Sequence, residues 1–584
     1  MTVKNSKRQR STSSWGITSE IIRSHLASAA EEMRRALVRT AFNPVIYDVL
    51  DFGISIYDEN LDLVVEAPGV PSFIGANDYA IKKAIEYVGM DALNNGDIFF
   101  MNYPYWSSAH TYDATLFAPI FQSSRSKELI AFGVIRAHWM DLGAKDPGYV
   151  LDSTSIHQEG IVFPGTKLYT RGEPNKDILE IMRFNSRMPE EIMGDLNAQV
   201  SSIRTGERRL HQIVQKFGMP AIKKTISILF ESGEKYSLDA LAKLPHGTWA
   251  AEDYLDGDGI SEDLVPMKAT VSISSKEFKV DFAGSASATR GPVNMPFGST
   301  HSMCKIVFKS LTTPKLPSNA GNYRSLKVEA PPGTLFHAVY PAPTFTLWTG
   351  IVALELVYKA VAQGLEGKIS ASSGGDLPGF MMLGIHPDTK KFYALSNNEP
   401  VGWGAAPDHD GANSLQHHSV GIGRNTPIEV LEIRTGMLIE RLELRKDSGG
   451  AGRFRGGLGL RRNIRFVADG EFLSVIKKSK TKPWGLAGGL CTEPNGLYIH
   501  LDTPSERKVG TFRFPAVTGE RCSLITAGGG GYGNPRERDP HAVLDDVLDG
   551  YVSSESAKVL YGVMIEDGTG IDWKGTELLR KQKP

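Results

Sequence analysis

Two apolar segments joined by a short polar run constrain the fold of this chain most strongly. Residues 114–121 and 129–137 are rich in aromatic and β-branched side chains, whereas residues 122–127 between them are polar. Such side chains favour strands, and the spacing predicts an antiparallel hairpin. A turn centred near Ser124 would place His110 opposite His138.

Imidazole and carboxylate groups cluster at the open end of this predicted hairpin. His110 and Asp113 precede the first strand, and His138 follows the second. Opposite residues have Cβ atoms about 4.5–5.5 Å apart, which lets two imidazoles share one metal. Residues three apart in a strand point to opposite faces, so Asp113 joins them only if residues 110–112 form a turn or a bulge. The set suits zinc, manganese or iron; the alternative is two independent histidines at strand ends.

Two further groups close to this cluster are candidates for proton transfer. Asp141 follows His138 by three residues, and His157 lies in the polar segment 155–159. Short polar loops of this kind more often satisfy backbone groups. Both interpretations of the loop are therefore open at this point.

A second group of histidines and aspartates follows Trp403. It consists of Asp408, His409, Asp410, His417 and His418. No regular period places these residues on one face of a helix or strand, so the sequence alone does not predict that they converge on a metal.

Glycine-rich loops at 450–459 and 528–533 superficially resemble loops that bind phosphate. No Lys-Ser or Lys-Thr pair follows the glycines, and no helix is predicted after them. The first loop is better interpreted as a hairpin connection between β-strands. The chain contains no recognisable nucleotide-binding loop.

Hydrophobic periodicity predicts an α+β protein of several domains. Apolar residues recur at three- and four-residue steps in residues 18–41, and residues 176–237 are rich in helix formers. Residues 349–363 form a helix with an apolar middle, and short strands punctuated by glycine pairs begin at 427. With 584 residues, more than one core is expected. The expected regions are a metal-binding α+β region with a helical subdomain (1–240), a central α/β region (241–425) and a β-rich region with a helical tail (426–584).

Charge and cysteine usage restrict the cellular setting and the partners. The 65 Lys and Arg residues nearly balance the 66 Asp and Glu residues, so no strong field attracts nucleic acid or a membrane surface. Neither an uninterrupted apolar stretch of about twenty residues nor a signal-peptide core is present. Three scattered cysteines fit a reducing compartment. We therefore predict a cytoplasmic protein that binds neither nucleic acid nor membranes.

Nine short motifs, in order along the chain, resemble signatures of the hydantoinase B / oxoprolinase family. Each is weak alone, but the ordered set is specific. The motifs begin at Asp51 (DFGIS), Asn102 (NYPY), His110 (HTYD), Arg136 (RAH), His157 (HQEG), Arg204 (RTGERR), Gly291 (GPVN), Asp447 (DSGGAGRFRGG) and Gly528 (GGGGYGNP).

The resemblance implies a metal site, a partner and a class of reaction. The family's metal ligands correspond to Asp51, His110, Asp113 and His138, which adds Asp51 to the three residues above. The implied partner is a hydantoinase A type subunit, on which ATP and Mg²⁺ are expected, in a hetero-oligomer. Tyr103 departs from the family pattern, in which an Asp often precedes the proline. This departure concerns the substrate rather than the metal.

The resulting hypothesis is a metal-binding catalytic subunit of an ATP-dependent hydrolase that opens cyclic amides of the hydantoin, 5-oxoproline or lactam type. A metal that lowers the pKa of bound water to about 7 would supply the nucleophile, and Asp141 or His157 would accept a proton. One alternative is a subunit of an acetone or acetophenone type ketone carboxylase. Another is a non-catalytic subunit whose metal only stabilises the fold.

Overall fold

The computed structural model describes residues 4–107, 110–123, 125–346 and 348–581, with side chains from residue 16 onward. Helices and several separate sheets surround distinct hydrophobic cores, which confirms the predicted multidomain α+β class. The helices of this part of the chain are α1 (Lys4–Thr40), α2 (Pro44–Tyr47), α3 (Pro71–Val88), α4 (Pro104–Ser107), α5 (Lys176–Phe184), α6 (Pro189–Phe217), α7 (Met219–Leu241), α8 (Phe297–Thr312), α9 (Trp348–Ala362), α10 (Ile428–Arg434), α11 (Pro540–Leu548), α12 (Ser554–Tyr561) and α13 (Trp573–Lys581).

A seven-stranded antiparallel sheet, ordered β2-β1-β5-β4-β3-β6-β7, forms the base of the N-terminal half. Its strands are β1 (Phe52–Asp58), β2 (Leu63–Glu66), β3 (Ile98–Met101), β4 (Asp113–Phe121), β5 (Leu129–His138), β6 (Pro164–Thr170) and β7 (Glu173–Pro174). Leu116 of β4 belongs to the core shared with α1 and α6, whereas its neighbour Phe117 belongs to the core shared with α3. Helices therefore cover both faces, and this is why β4 is buried throughout and shows no polar alternation.

Strands β4 and β5 form the predicted hairpin, but in a different register. Asp113, rather than His110, is paired with His138, so the predicted pairing of the two histidines is wrong. The ladder shifts by one residue between Ile120 and Phe121, an irregularity that apolar patterning does not reveal. Ser124, the predicted centre of the turn, lies outside the described residues.

The predicted helical subdomain at 176–237 is present as α5, α6 and α7. Helix α6 packs along α1 and also contacts β4 and β5. None of the helices in the described part of the chain combines the length and the apolar character that a membrane span requires. The contacts of α6 with β4 and β5 place this helix on one face of the sheet that carries the predicted site.

The central part of the chain places a four-stranded sheet beside two helices. The sheet is ordered β11-β10-β9-β8 and is packed against α8 and α9. Its strands are β8 (Gly247–Asp256), β9 (Leu264–Ile273), β10 (Phe278–Asp281) and β11 (Leu326–Glu329). Helix α9 matches the predicted apolar helix and is almost completely buried; its one buried acidic residue is Glu355.

The region from residue 426 onward is rich in strands, as predicted, and two strands at 379–385 and 392–398, which precede this region, join one of its sheets. Two sheets, ordered β13-β12-β16-β19 and β14-β15-β20-β17-β18, share one hydrophobic core. The strands are β12 (Gly379–Ile385), β13 (Phe392–Asn398), β14 (Met437–Leu444), β15 (Leu460–Phe466), β16 (Gly470–Val475), β17 (Gly496–Ile499), β18 (Arg507–Val509), β19 (Phe512–Ala516), β20 (Arg521–Ile525), and a final pair, β21 (Met564–Glu566) and β22 (Gly570–Asp572).

Glycine-rich segments beside these sheets pack backbone against backbone. We call residues 402–411, 449–459 and 528–531 the glycine layer. The amides of Gly450, Gly529 and Gly457 donate in series to the carbonyls of Gly529, Gly457 and Trp403, at 2.8, 2.9 and 2.9 Å. The loop 445–459 does join the antiparallel strands β14 and β15, as predicted, but it is part of this layer rather than a tight turn.

Candidate metal centre

His110, Asp113 and His138 converge at one end of the β4–β5 hairpin. The His138 Nδ1 atom lies 3.1 Å from Asp113 Oδ1, and His110 Nδ1 lies 3.4 Å from the same oxygen. One potential ligand atom from each of the three residues lies within 4.8 Å of the others. Residues 110–113 form a turn in which the Asp113 amide donates to the His110 carbonyl at 3.0 Å. The turn that allows Asp113 to join the two histidines is therefore present.

Unpartnered buried atoms at this cluster fit a cation. His110 Nδ1, Asp113 Oδ2 and His138 Nε2 are buried and have no hydrogen-bond partner among the described residues. Buried polar atoms in proteins nearly always have a partner, so three orphans in one cluster need an explanation. Two imidazoles and a carboxylate form a donor set typical of a divalent transition metal.

Burial determines the protonation of the two imidazoles differently. Burial lowers the pKa of His110 to about 4, so this ring is neutral near pH 7. Burial also lowers the pKa of His138, but the hydrogen bond to the Asp113 carboxylate and the negative charges of Asp113 and Asp51 together outweigh burial and leave the pKa above its ordinary value. A neutral imidazole is the form that binds a metal, so a bound cation must displace any proton on His138.

Asp51 lies beside the cluster without belonging to the group of three. It immediately precedes β1, and its carbonyl accepts from the His138 amide at 3.2 Å. Burial raises the pKa of the Asp51 carboxyl to about 7, and the nearby Asp113 carboxylate contributes to this rise. The structure therefore brings all four residues implied by the family resemblance to one place, with Asp51 at the edge.

Asp141 has its hydrogen-bonding capacity already occupied. Its carboxylate is fully buried and accepts from the Arg187 guanidinium at 2.9 and 3.0 Å and from the Tyr112 hydroxyl at 3.0 Å. His157 is exposed, and its Nε2 atom lies 2.9 Å from the Tyr340 hydroxyl. Neither is among the described residues that line the cavity at the metal cluster. A role in proton transfer stays a prediction for both.

A small cavity of about 70 Å³ adjoins the cluster. Asp51, His110 and His138 face it, and most of its other walls are apolar. The remaining described lining residues are Val70, Ser72, Phe73, Tyr149, Ser299, Met303, Trp348, Ile351, Leu377, Asn398, Ser419 and Val420. A larger cavity of about 680 Å³ beside α3 and α8 contains none of the predicted site residues in the described chain.

Aromatic side chains around the histidines were not identified from the sequence. The Phe345 ring stacks on His110 with centroids 5.2 Å apart, and the Tyr149 ring stacks on His138 at 6.0 Å. Trp348, at the start of α9, meets Tyr149 edge to face at 5.3 Å. These aromatic residues come from separate segments, so local sequence patterns do not predict that they meet. Only Trp348, the aromatic residue at the start of the predicted apolar helix, could have been singled out from the sequence.

Comparison with known proteins identifies the family. A family model described as hydantoinase B/oxoprolinase matches residues 16–535. The chain belongs to the hydantoinase B/oxoprolinase family. Among its relatives, a putative D-/L-hydantoinase B subunit of Pseudomonas sp. (strain NS671) is 31% identical, over 97% of this chain and 98% of that protein.

Other members of the hydantoinase B/oxoprolinase family match over most of this chain. The caprolactamase beta subunit of Pseudomonas jessenii is 27% identical, over 97% of this chain and 98% of that protein. The crystal structure of ATP-dependent caprolactamase from the same organism superposes with a TM-score of 0.89 at 26% identity, covering 97% of this chain and 99% of that one. A nucleotide-free acetone carboxylase structure has a TM-score of 0.88 at 19% identity, over 97% of this chain and 84% of that chain, and shows the shared fold.

The second histidine and aspartate group divides into separate sites. Asp408 and His409 pair with each other at the surface, and Asp410 accepts from Arg538. His417 and His418 instead turn toward the buried Glu355 of α9. The five residues therefore do not form one cluster.

The three cysteines are expected to be dispensable. Cys304 and Cys522 are buried, and burial raises the pKa of both thiols, whereas Cys491 is exposed. None of them belongs to a potential metal-binding group in the described residues. A triple variant with alanine at the buried positions and serine at 491 should keep its metal content and its activity with the partner subunit. Complete loss of activity in a folded, metal-loaded triple variant would contradict this expectation.

Proposed function

We propose that this chain is the metal-binding catalytic subunit of a two-component enzyme that opens a neutral cyclic amide of the hydantoin or lactam type. The observation that carries the proposal is the buried cluster of His110, Asp113 and His138 with its unpartnered atoms, of which His110 and His138 line a small, mostly apolar cavity. The named relatives, a hydantoinase B subunit and a caprolactamase beta subunit, support a cyclic amide as the substrate and a partner subunit.

The cavity walls favour an uncharged substrate. No lysine or arginine is among the described residues that line the cavity. A carboxylate buried against these walls would lose its hydration without gaining a cationic partner other than the metal. The volume of the cavity, about 70 Å³, is also far below the roughly 300–1,000 Å³ of sites for drug-sized ligands. The absence of a cationic side chain from the described lining residues, rather than the size of the cavity, is why a neutral ring fits better than 5-oxoproline, which carries a carboxylate.

The residues at the cavity have separable roles in this proposal. His110, Asp113 and His138 would hold a divalent cation, with Asp51 completing the set. Such a cation supplies Lewis acidity and lowers the pKa of bound water to about 7. The rings of Phe345 and Tyr149 hold the two imidazoles by stacking, and the apolar walls exclude bulk water from the reacting amide.

Activation of the amide is assigned to the partner. The sequence contains no recognisable nucleotide-binding loop, so ATP and Mg²⁺ are expected on a hydantoinase A type subunit. Phosphorylation of the amide oxygen there would make the ring carbon more electrophilic before water attacks it. In this proposal the partner activates the amide and this chain holds the metal, which is why both subunits would be needed.

Reconstitution with the partner subunit tests the function. The two subunits together should release phosphate and open hydantoin or caprolactam only when ATP is present. Their kcat/KM for these substrates should be at least about tenfold higher than for 5-oxoproline, a difference of about 1.4 kcal/mol in transition-state stabilisation. The isolated chain should show no sustained ATP hydrolysis. Sustained ATP-dependent turnover by this chain alone would contradict the two-component assignment. Bicarbonate consumption coupled to loss of acetone or acetophenone would instead identify a ketone carboxylase.

A further inference from the structure

A second cluster of potential metal ligands, like the first, is largely buried. Glu355 projects from α9, and His417 and His418 lie in the segment between β13 and α10. The Nε2 atoms of His417 and His418 lie 3.3 and 3.5 Å from the same oxygen, Glu355 Oε1. One ligand atom from each residue lies within 4.8 Å of the other two. The cluster shares no residue with the His110 site.

The separations match those around a small cation. Zinc binds imidazole nitrogen at about 2.0–2.1 Å and carboxylate oxygen at about 2.0–2.2 Å in tetrahedral sites. Two ligand atoms at those bond lengths stand roughly 3.3–3.5 Å apart, because a tetrahedral edge is about 1.6 times the bond length. The two nitrogen-to-oxygen distances of 3.3 and 3.5 Å therefore already fit a shared metal.

Three serine hydroxyls hold the outer atoms of the three side chains. Ser372 donates to Glu355 Oε2 at 2.9 Å, Ser419 lies 2.9 Å from His417 Nδ1, and Ser373 lies 3.3 Å from His418 Nδ1. Metal-binding histidines and carboxylates are commonly oriented in this way by hydrogen bonds to their other atoms. The two Nε2 atoms and Glu355 Oε1, which these serines do not contact, face one another.

An ordinary hydrogen-bonded pair does not account for the whole arrangement. If His417 donates to Glu355, the Nε2 atom of His418 has no hydrogen-bond partner among the described residues, although it is buried. One buried imidazole nitrogen of the cluster is therefore left without a partner among the described residues.

We propose that Glu355, His417 and His418 bind a second divalent cation of the zinc class. Two imidazoles and one carboxylate leave a fourth position for water or another small ligand. Of the three side chains, that of His418 is the most exposed, at 20%, although its Nε2 atom is buried.

The second site is connected to the walls of the first cavity. Ser419, which contacts His417, lines that cavity, as do Trp348 and Ile351 on the same helix as Glu355. A cation at the second site would join α9 to the 417–420 segment. It would therefore fix the relative position of two walls of the cavity next to His110 and His138.

Metal titration of the full-length chain tests this proposal without measuring turnover. Metal-free protein is titrated with Co²⁺ under anaerobic conditions, and binding is followed by visible absorption and equilibrium dialysis. We expect two equivalents for the wild type and one for His418→Ala, because loss of a ligand should weaken the second site by more than the roughly 10–100-fold typical of outer partners. Glu355→Gln should give the same result. His409→Ala, at an exposed histidine, should still bind two equivalents.

The two sites can fail independently in this experiment. His110→Ala should lose one equivalent and retain the one that His418→Ala removes. One equivalent in the wild type, absent in His110→Ala and unchanged in His418→Ala, would overturn the second site. Retention of two equivalents by folded His418→Ala would do the same. Thermal unfolding of each variant checks the fold, and His418→Ala decides the question if the fully buried Glu355→Gln does not fold.

Discussion

Alanine at His110 or His138 is expected to leave a folded chain that has lost its first metal and its activity. Each imidazole is one of the three closely grouped ligands, so its removal should weaken binding by more than the roughly 10–100-fold seen when an outer partner is lost. Elemental analysis of the purified variants measures the metal, and ring opening with the partner subunit measures the activity. Turnover should fall below detection, because both the cation and the orientation of water depend on this cluster.

Two further variants separate ligands from neighbouring residues. His409→Ala removes an exposed histidine and should change neither metal content nor activity. Asp141→Asn should retain the metal, because the Asp141 carboxylate is bound to Arg187 and Tyr112 rather than to the cluster. Full metal loading of both His110→Ala and His138→Ala would show that the proposed ligands are wrong. Loss of metal in Asp141→Asn alone would indicate that the metal binds at Asp141 rather than at the two histidines.

The second large effect is expected from Gly457→Ala in the glycine layer. A Cβ atom at this position would overlap the carbonyl oxygen of Ala412 and would lie 2.9 Å from the backbone nitrogen of Trp403. Neither neighbour is a flexible side chain, so the layer itself must move apart. Overpacking of a core typically costs about 1–3 kcal/mol, and rigid backbone neighbours place this change at the upper end or above it. Differential scanning calorimetry should show a lower Tm, or the variant should be recovered mainly as insoluble protein.

Two glycines outside the layer provide matched controls. A Cβ at Gly16 meets nothing within 4 Å, and one at Gly570 meets only the carbonyl oxygen of Glu566 at 3.8 Å. Gly16→Ala and Gly570→Ala should therefore change stability by no more than about 0.5–1 kcal/mol. If Gly457→Ala melts together with these controls, the backbone segments are not packed as closely as described.

From the sequence, we predicted which residues of the β4–β5 hairpin lie close together more accurately than the register of the two strands. Strand propensity located both strands of the hairpin, and the required turn before Asp113 is present. The pairing of His110 with His138 was wrong because Asp113 is paired with His138, three residues from the predicted register, and the shift near Ile120 accounts for only one of these three residues. Register depends on the loop conformation and on contacts from other elements, which local periodicity does not contain.

Long-range contacts explain what the sequence could not predict. His417 is 62 residues from Glu355, and the two meet only because α9 is buried beside the segment after β13. The apolar pattern predicted this buried helix but gave no indication of which loop would lie against its one buried carboxylate. The cavity walls likewise come from segments as distant as Val70 and Asn398.

In the glycine layer, slow hydrogen exchange is expected without regular secondary structure, although the two usually occur together. Residues 449–459 and 528–531 contain neither helix nor extended strand, so far-ultraviolet circular dichroism counts them as irregular. Several of their amides are nevertheless buried and paired, as in the series from Gly450 through Gly529 to Trp403. Because several segments must separate together before these amides meet solvent, their deuterium uptake should be among the slowest in the chain.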